Sequence, residues 1–136
     1  MIDPREFIKT IYLGDRSCKG ICIRSWDKRV EIQVDCISRV RSRSGQWEYY
    51  SAEDIEEGKI VFAGVDYLRI EPSGLFPNDA IDHFSVIGSR SDGRFEFEFA
   101  AEAVGSEGQS SMVKILIVAR SIALEDPAQP GTIIDC

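Results

Sequence analysis

Cys18 and Cys22 stand four positions apart in "GDRSCKGICIRSW", residues 14–26, and are the first residues of the chain with metal or redox chemistry to offer. Paired thiolates hold zinc when a second pair completes four ligands, or they cycle through a disulfide. In an extended strand, a separation of four means the same face but roughly 13 Å between Cα atoms, too far for a disulfide or a shared ion. Cys36, Cys136 and the single histidine, His83, are scattered along the chain. The pattern predicts small buried thiols, no metal and no cofactor.

His83 follows Asp82 and lies two residues before Ser85. An imidazole beside an acid and a hydroxyl is raw material for nucleophilic catalysis. Sequence neighbours on a strand point to opposite faces, so "DH" makes no dyad by position alone, whereas His83 and Ser85 share a face. There is no Gly-x-Ser-x-Gly turn, Walker loop, Gly-x-Gly-x-x-Gly fingerprint or His-Glu-x-x-His motif. Glu96 and Glu98 alternate with phenylalanines, as a solvated strand face requires. The expectation is therefore no catalytic residue, and a small ligand-binding or hydrolase-like domain using His83 is the alternative.

Two stretches have the composition of binding surfaces. Arg39, Arg41 and Arg43 alternate in "SRVRSRSG" and precede Trp47, Tyr49 and Tyr50, a charge-and-stacking pattern suited to single-stranded RNA. Against it stands a net charge of −7 and a pI near 4.7, which repel a phosphate backbone. The charge is also uneven: residues 1–47 hold ten Lys/Arg against six Asp/Glu, and the rest hold six against seventeen. The segment from Trp47 to Glu57 combines Trp47, Tyr49 and Tyr50 with Glu48, Glu53, Asp54, Glu56 and Glu57. Aromatic anchors ringed by carboxylates suit a protein interface, the rings supplying affinity and the charges the on-rate. This is the candidate partner-binding site, and its natural complement is a basic protein.

The elements that must position these residues follow from periodicity. Asp3, Pro4 and Glu6 start a helix, and Phe7, Ile8, Ile11 and Tyr12 give it one apolar stripe, predicting a helix over about 3–13. From residue 18 the period changes to two. A hairpin turns at Asp27-Lys28 with Val30, Ile32, Val34 and Cys36 on one face. "QWEYY" reads as a strand and "SAEDIEEG" as one or two helical turns. "KIVFAGVDYLRIEP" reads as strand bent at Gly64, "PSGLFPNDAID" as loop and "HFSVIGSR" as a short strand. "GRFEFEFAAEAV" pairs with "SMVKILIVARSIAL", and the tail 125–136 wraps the surface. The whole is one domain, 1–136, with a β region over 18–124. The fold class is mainly β (α+β): an antiparallel β-sandwich or open barrel of about seven strands with a short N-terminal helix.

The opening "MIDPREFIKT" carries early acids and no apolar core, and the longest apolar run is "ILIVA", residues 115–119. Neither a secretory signal nor a membrane helix is expected, and the reading is cytoplasmic with reduced thiols.

"FIKTIYLGDRSCKGICIRSWDKRVEIQVDCISRVR", "FAGVDYLRIEPSGLFPNDAID" and "ALEDPAQPG" together resemble a family of small uncharacterised bacterial proteins, a domain of unknown function. Its members share a Leu-Gly-Asp-Arg-x-Cys-Lys start, a Pro-Ser-Gly-x-x-Pro-Asn-Asp loop and a Leu-Glu-Asp-Pro tail. The resemblance implies a bacterial, single-domain protein and carries no functional residue across. In size and acidity the chain also resembles immunity proteins that neutralise toxins. The implied function is a non-enzymatic domain that binds a cationic toxin.

Overall fold

A computed structural model describes residues 3–39, 54–130 and 133–135. The predicted stretch "QWEYY", together with Arg41, Arg43, Trp47, Glu48, Tyr49, Tyr50, Glu53 and Cys136, lies outside the described residues. One helix, α1 (Pro4–Ile8), is followed by β1 (Ile11–Tyr12), β2 (Cys18–Arg24), β3 (Arg29–Val34), β4 (Cys36–Arg39), β5 (Asp54–Glu56) and β6 (Lys59–Ala63). Then come β7 (Tyr67–Glu71), β8 (Ile81–Ser89), β9 (Phe95–Val104), β10 (Ser110–Ala119), β11 (Ser121–Glu125) and β12 (Ile133–Asp135). All pairings are antiparallel, in sheets of order β1-β4-β5, β7-β10-β9-β8 and β12-β11-β6-β3-β2. The mainly β, open architecture is as the sequence predicts, though with more strands than seven.

Two pairs of strands pass together from one large sheet to the other. β6 pairs with β11, and beyond Gly64 its continuation β7 pairs with β10, which itself runs into β11 across Arg120 alone. Hydrogen bonds carry the ladder round the bend: Arg120 N–H donates to Ala63 O at 3.0 Å and Asp66 N–H to Val118 O at 3.0 Å. Strands that change sheets at bends are how packed sheets form a corner. Gly64 makes the bend possible, with φ +63 and no Cβ, since a Cβ there would lie 3.0 Å from Arg120. Arg94, only 15% exposed, pins the corner by donating from Nε to Gly64 O at 3.3 Å and pairing with Asp92 at 2.8 Å.

The core lies between the two large sheets. Phe62 of β6 meets Phe97 of β9 edge-on, with centroids 5.1 Å apart, and Phe84 of β8 at 6.0 Å. Val30, Ile32 and Val34 of β3, Phe97 and Phe99 of β9 and Ile115 and Ile117 of β10 are all buried, as their period of two requires. β10 is central, which accounts for its apolar character on both sides.

Four local expectations are corrected. The helix ends at Ile8 rather than near residue 13. Thr10, Ile11 and Tyr12 favour extended backbone, and Ile11 and Tyr12 pair with Arg39 and Ser38. The acidic "SAEDIEEG" holds a strand over Asp54–Glu56, because buried Ile55 pairs with buried Ile37 and that packing outweighs a helical start signal. "KRVEIQVDCISRV" is two strands broken at Asp35, whose Oδ1 accepts from the N–H of Ser17 at 3.0 Å and of Cys36 at 2.9 Å. The tail does not simply wrap the surface, since Ile133–Asp135 pairs with β11 as an edge strand. Gly64→Ala is expected to destabilise the domain by about 1–2 kcal/mol through left-handed strain, read as a lowered urea midpoint. An unchanged midpoint would mean the bend tolerates a side chain.

Candidate functional site

The two thiols of the opening motif do not share a face. Cys18 pairs with Val34 and Gly20 with Gln33, so Lys19 is an extra residue. A one-residue slip in register reverses every side chain beyond it. Cys18 accordingly points into the core, where burial pushes its thiol up to about 11 against a backbone hydrogen bond from Gly20. Cys22 pairs with Glu31 on the outer face and is exposed. Cys36 is half-buried, and burial raises its thiol as well. Among the described residues no group of three or more His, Cys, Asp or Glu is placed to hold a metal ion.

A bulge also remakes the Asp82–His83 pair. Ile81 pairs with Ala101 and His83 with Ala100, leaving Asp82 as the additional residue. A bulge turns adjacent side chains towards one side. The neighbours that alternation would separate therefore meet, with His83 Nδ1 2.7 Å from Asp82 Oδ2. On the other side of the ring, Nε2 lies 2.7 Å from Glu98 Oε1 on β9. An imidazole with a carboxylate on each nitrogen is best satisfied when both nitrogens carry protons and donate. The bonds to Asp82 and Glu98 raise the pKa of His83 from 6.5, with desolvation opposing. Both nitrogens are occupied, so the ring has no lone pair for a serine, and Ser85 faces Glu98 across the ladder instead. The arrangement is a charged bracket rather than a triad.

Beside this bracket lies a shallow hollow of about 300 Å³ between the α1–β1 segment and β8, lined by Ile8, Tyr12, Leu13, Ile81, Asp82 and His83 among others. A second hollow of about 300 Å³ on the outer face of the five-stranded sheet is polar and centres on Glu31, which is 4% exposed. Burial raises this carboxyl, but the hydrogen bond from Arg24 Nε at 2.8 Å and the charges of Arg29 and Lys59 outweigh it and hold the group below its usual value. Arg29 also donates to Glu125 at 3.1 Å. Its cations are already spent on these carboxylates, so the cluster is a structural network holding β2, β3, β6 and β11 together.

Among the described residues, exposed large apolar groups lie at the β2–β3 turn and its hollow, and again at Leu75 and Phe76 in the loop after β7. Trp26 sits in the β2–β3 turn, Ser25–Lys28, and is 96% exposed. The same turn walls a hollow of about 190 Å³ with Ile23, Arg24, Arg29, Val65 and Tyr67. Ile23 is 51% and Tyr67 43% exposed. Elsewhere Phe76 is 79% exposed in the loop after β7. Of the predicted binding segment, Asp54, Glu56 and Glu57 are described and exposed, and Glu57 pairs with Lys19 at 2.7 Å. Arg39 ends β4. Sequence reasoning missed Trp26. Its signal was position: an indole in a four-residue turn has no strand neighbour to pack against.

Over residues 1–136 the sequence matches the model of a family of unknown function, DUF6258. The chain belongs to this family. No curated protein and no solved structure matches the chain. Membership of DUF6258 therefore fixes kinship and leaves function to the residues themselves. No helix among the described residues is long and apolar enough to cross a membrane.

The bracket carries a pH signature. Because His83 is raised, its contribution to stability is full below pH 6.5 and is lost as pH rises through the higher folded value. His83→Gln is therefore expected to cost most in acid and least at alkaline pH in urea titrations run from pH 5.5 to 9. A constant cost across that range would show that the imidazolium is not what the carboxylates hold.

Proposed function

We propose that this chain is a non-enzymatic protein-binding domain, and in its sharper form an immunity protein that neutralises a basic toxin. The observation that carries the reading is the corner at Trp26, where Ile23 and Tyr67 are exposed beside Arg24 and Arg29. Trp, Tyr and Arg are the residue types in which binding energy concentrates at protein interfaces. An indole left almost wholly in water gains little from folding and keeps its large apolar face and N–H available to a partner. The net charge of −7 supports a basic partner, since opposite charge speeds encounter. Exposed Asp54 and Glu56 extend the same argument to the segment from Trp47 onward.

The bacterial origin, the cytoplasmic setting and the toxin belong to this proposal. So does the role of the segment Trp47 to Glu57 as a second contact. An enzymatic use of His83 is less well supported, because both of its nitrogens are taken. The RNA reading has only the end of β4 at Arg39 in the described residues, against an acidic whole.

Trp26→Ser is expected to leave stability within about 0.5 kcal/mol of the wild type, as surface changes do. It should also abolish affinity capture of the partner from a lysate of the source organism. Capture of the same basic protein by both forms would contradict a role for the corner.

A further inference from the structure

The hollow beside His83 has the two features a cationic side chain needs. Its walls are apolar, formed by Ile8 and Leu13 on one side and Ile81 and Phe84 on the other. Its rim carries Asp82, and the bracket behind it has excess negative charge, because Asp82 and Glu98 together hold two charges against one on the imidazolium between them. Asp82 is 54% exposed and uses only Oδ2 towards His83. Its other carboxylate oxygen has no hydrogen-bond partner among the described residues. Long cationic side chains settle where an aliphatic stem meets apolar surface and an ammonium meets an anion.

We propose that this slot receives a lysine side chain of the partner protein, its stem between Leu13 and Ile81 and its ammonium on Asp82. The inference rests on the basic partner argued above and names one way the domain recognises it. The slot shares no lining residue with the corner at Trp26. The two contacts therefore stand or fall separately.

Binding is coupled to the proton on His83. Among the described residues, the charged and titratable groups around the ring are Asp82 on its own strand, Glu98 on β9 and Tyr12 on the facing segment. Glu102 of β9 and Lys114 of β10 share the sheet face by alternation. A bound ammonium competes with the imidazolium proton for the same carboxylates. Lysine must then lower the titration midpoint of His83, and alkaline pH must tighten lysine binding, since the coupling is reciprocal.

The test is nuclear magnetic resonance titration of the full chain with N-acetyl-lysine amide, using N-acetyl-norleucine amide as the uncharged probe of equal stem length. With a single histidine in the chain, the ring signals need no assignment. Lysine amide is expected to shift Leu13 and Ile81 and to lower the His83 midpoint by roughly 0.5 unit, what one charge about 6 Å away supplies in water. Norleucine amide should leave the midpoint unchanged, and Asp82→Asn should remove the lysine effect. Silence at Leu13 and Ile81, or equal responses to both probes, would overturn the slot. That comparison uses the wild-type chain and holds even if Asp82→Asn fails to fold. Failure of the slot would leave Trp26-dependent capture intact, whereas failure of the binding reading would show as no capture in either form.

Discussion

The structure depends on two antiparallel strands turning the same corner together. β6 and β11 form part of one sheet, β7 and β10 part of the other, and the ladder between them continues across Gly64 and Arg120. Once that ladder bends, Phe62 must face Phe97 and the two sheets must share one core. A backbone hydrogen bond lost at the bend would leave a donor or acceptor unpaired at the sheet junction, which costs more than a kept bond contributes. A glycine and a half-buried arginine instead keep the ladder whole.

From that corner follow the surfaces. The β2–β3 hairpin ends beside it, which is why Ile23 and Tyr67 line one hollow although they are far apart in sequence, with Trp26 in the turn that walls it. At β8, which ends its sheet among the described residues, two bulges interrupt the ladder with β9. Bulges blunt an exposed edge and re-aim side chains. Here the first bulge creates the Asp82–His83–Glu98 bracket, so a device that protects the edge also sets up its electrostatics.

Much of the fold was legible wherever a period of two ran unbroken. Val30, Ile32 and Val34, and Phe97 and Phe99, announce their buried face directly. The same rule failed at Lys19 and Asp82, because a bulge adds one residue without any composition of its own, and parity then misassigns every side chain beyond it. Parity therefore placed Cys18 and Cys22 on one face and separated Asp82 from His83, and was wrong in both. At Asp54–Glu56 the error was of another kind: an acidic start signal was weighed as helix, while the partner that makes it strand, Ile37, lies across the fold. The candidate site was less legible than the fold. The predicted segment from Trp47 to Glu53 lies outside the described residues, and Trp26 is distinguished by its exposure in the folded chain rather than by any pattern in its neighbours.

The central claim is that the corner at Trp26 is where this domain meets another protein. The most direct measurement is photo-crosslinking in the native cell, with benzoylphenylalanine placed at Trp26 and, in a separate strain, at the comparably exposed Phe76. The account predicts one dominant adduct to a basic protein from position 26 and none of that species from position 76. No adduct at position 26, or the same adduct from both positions, would contradict it.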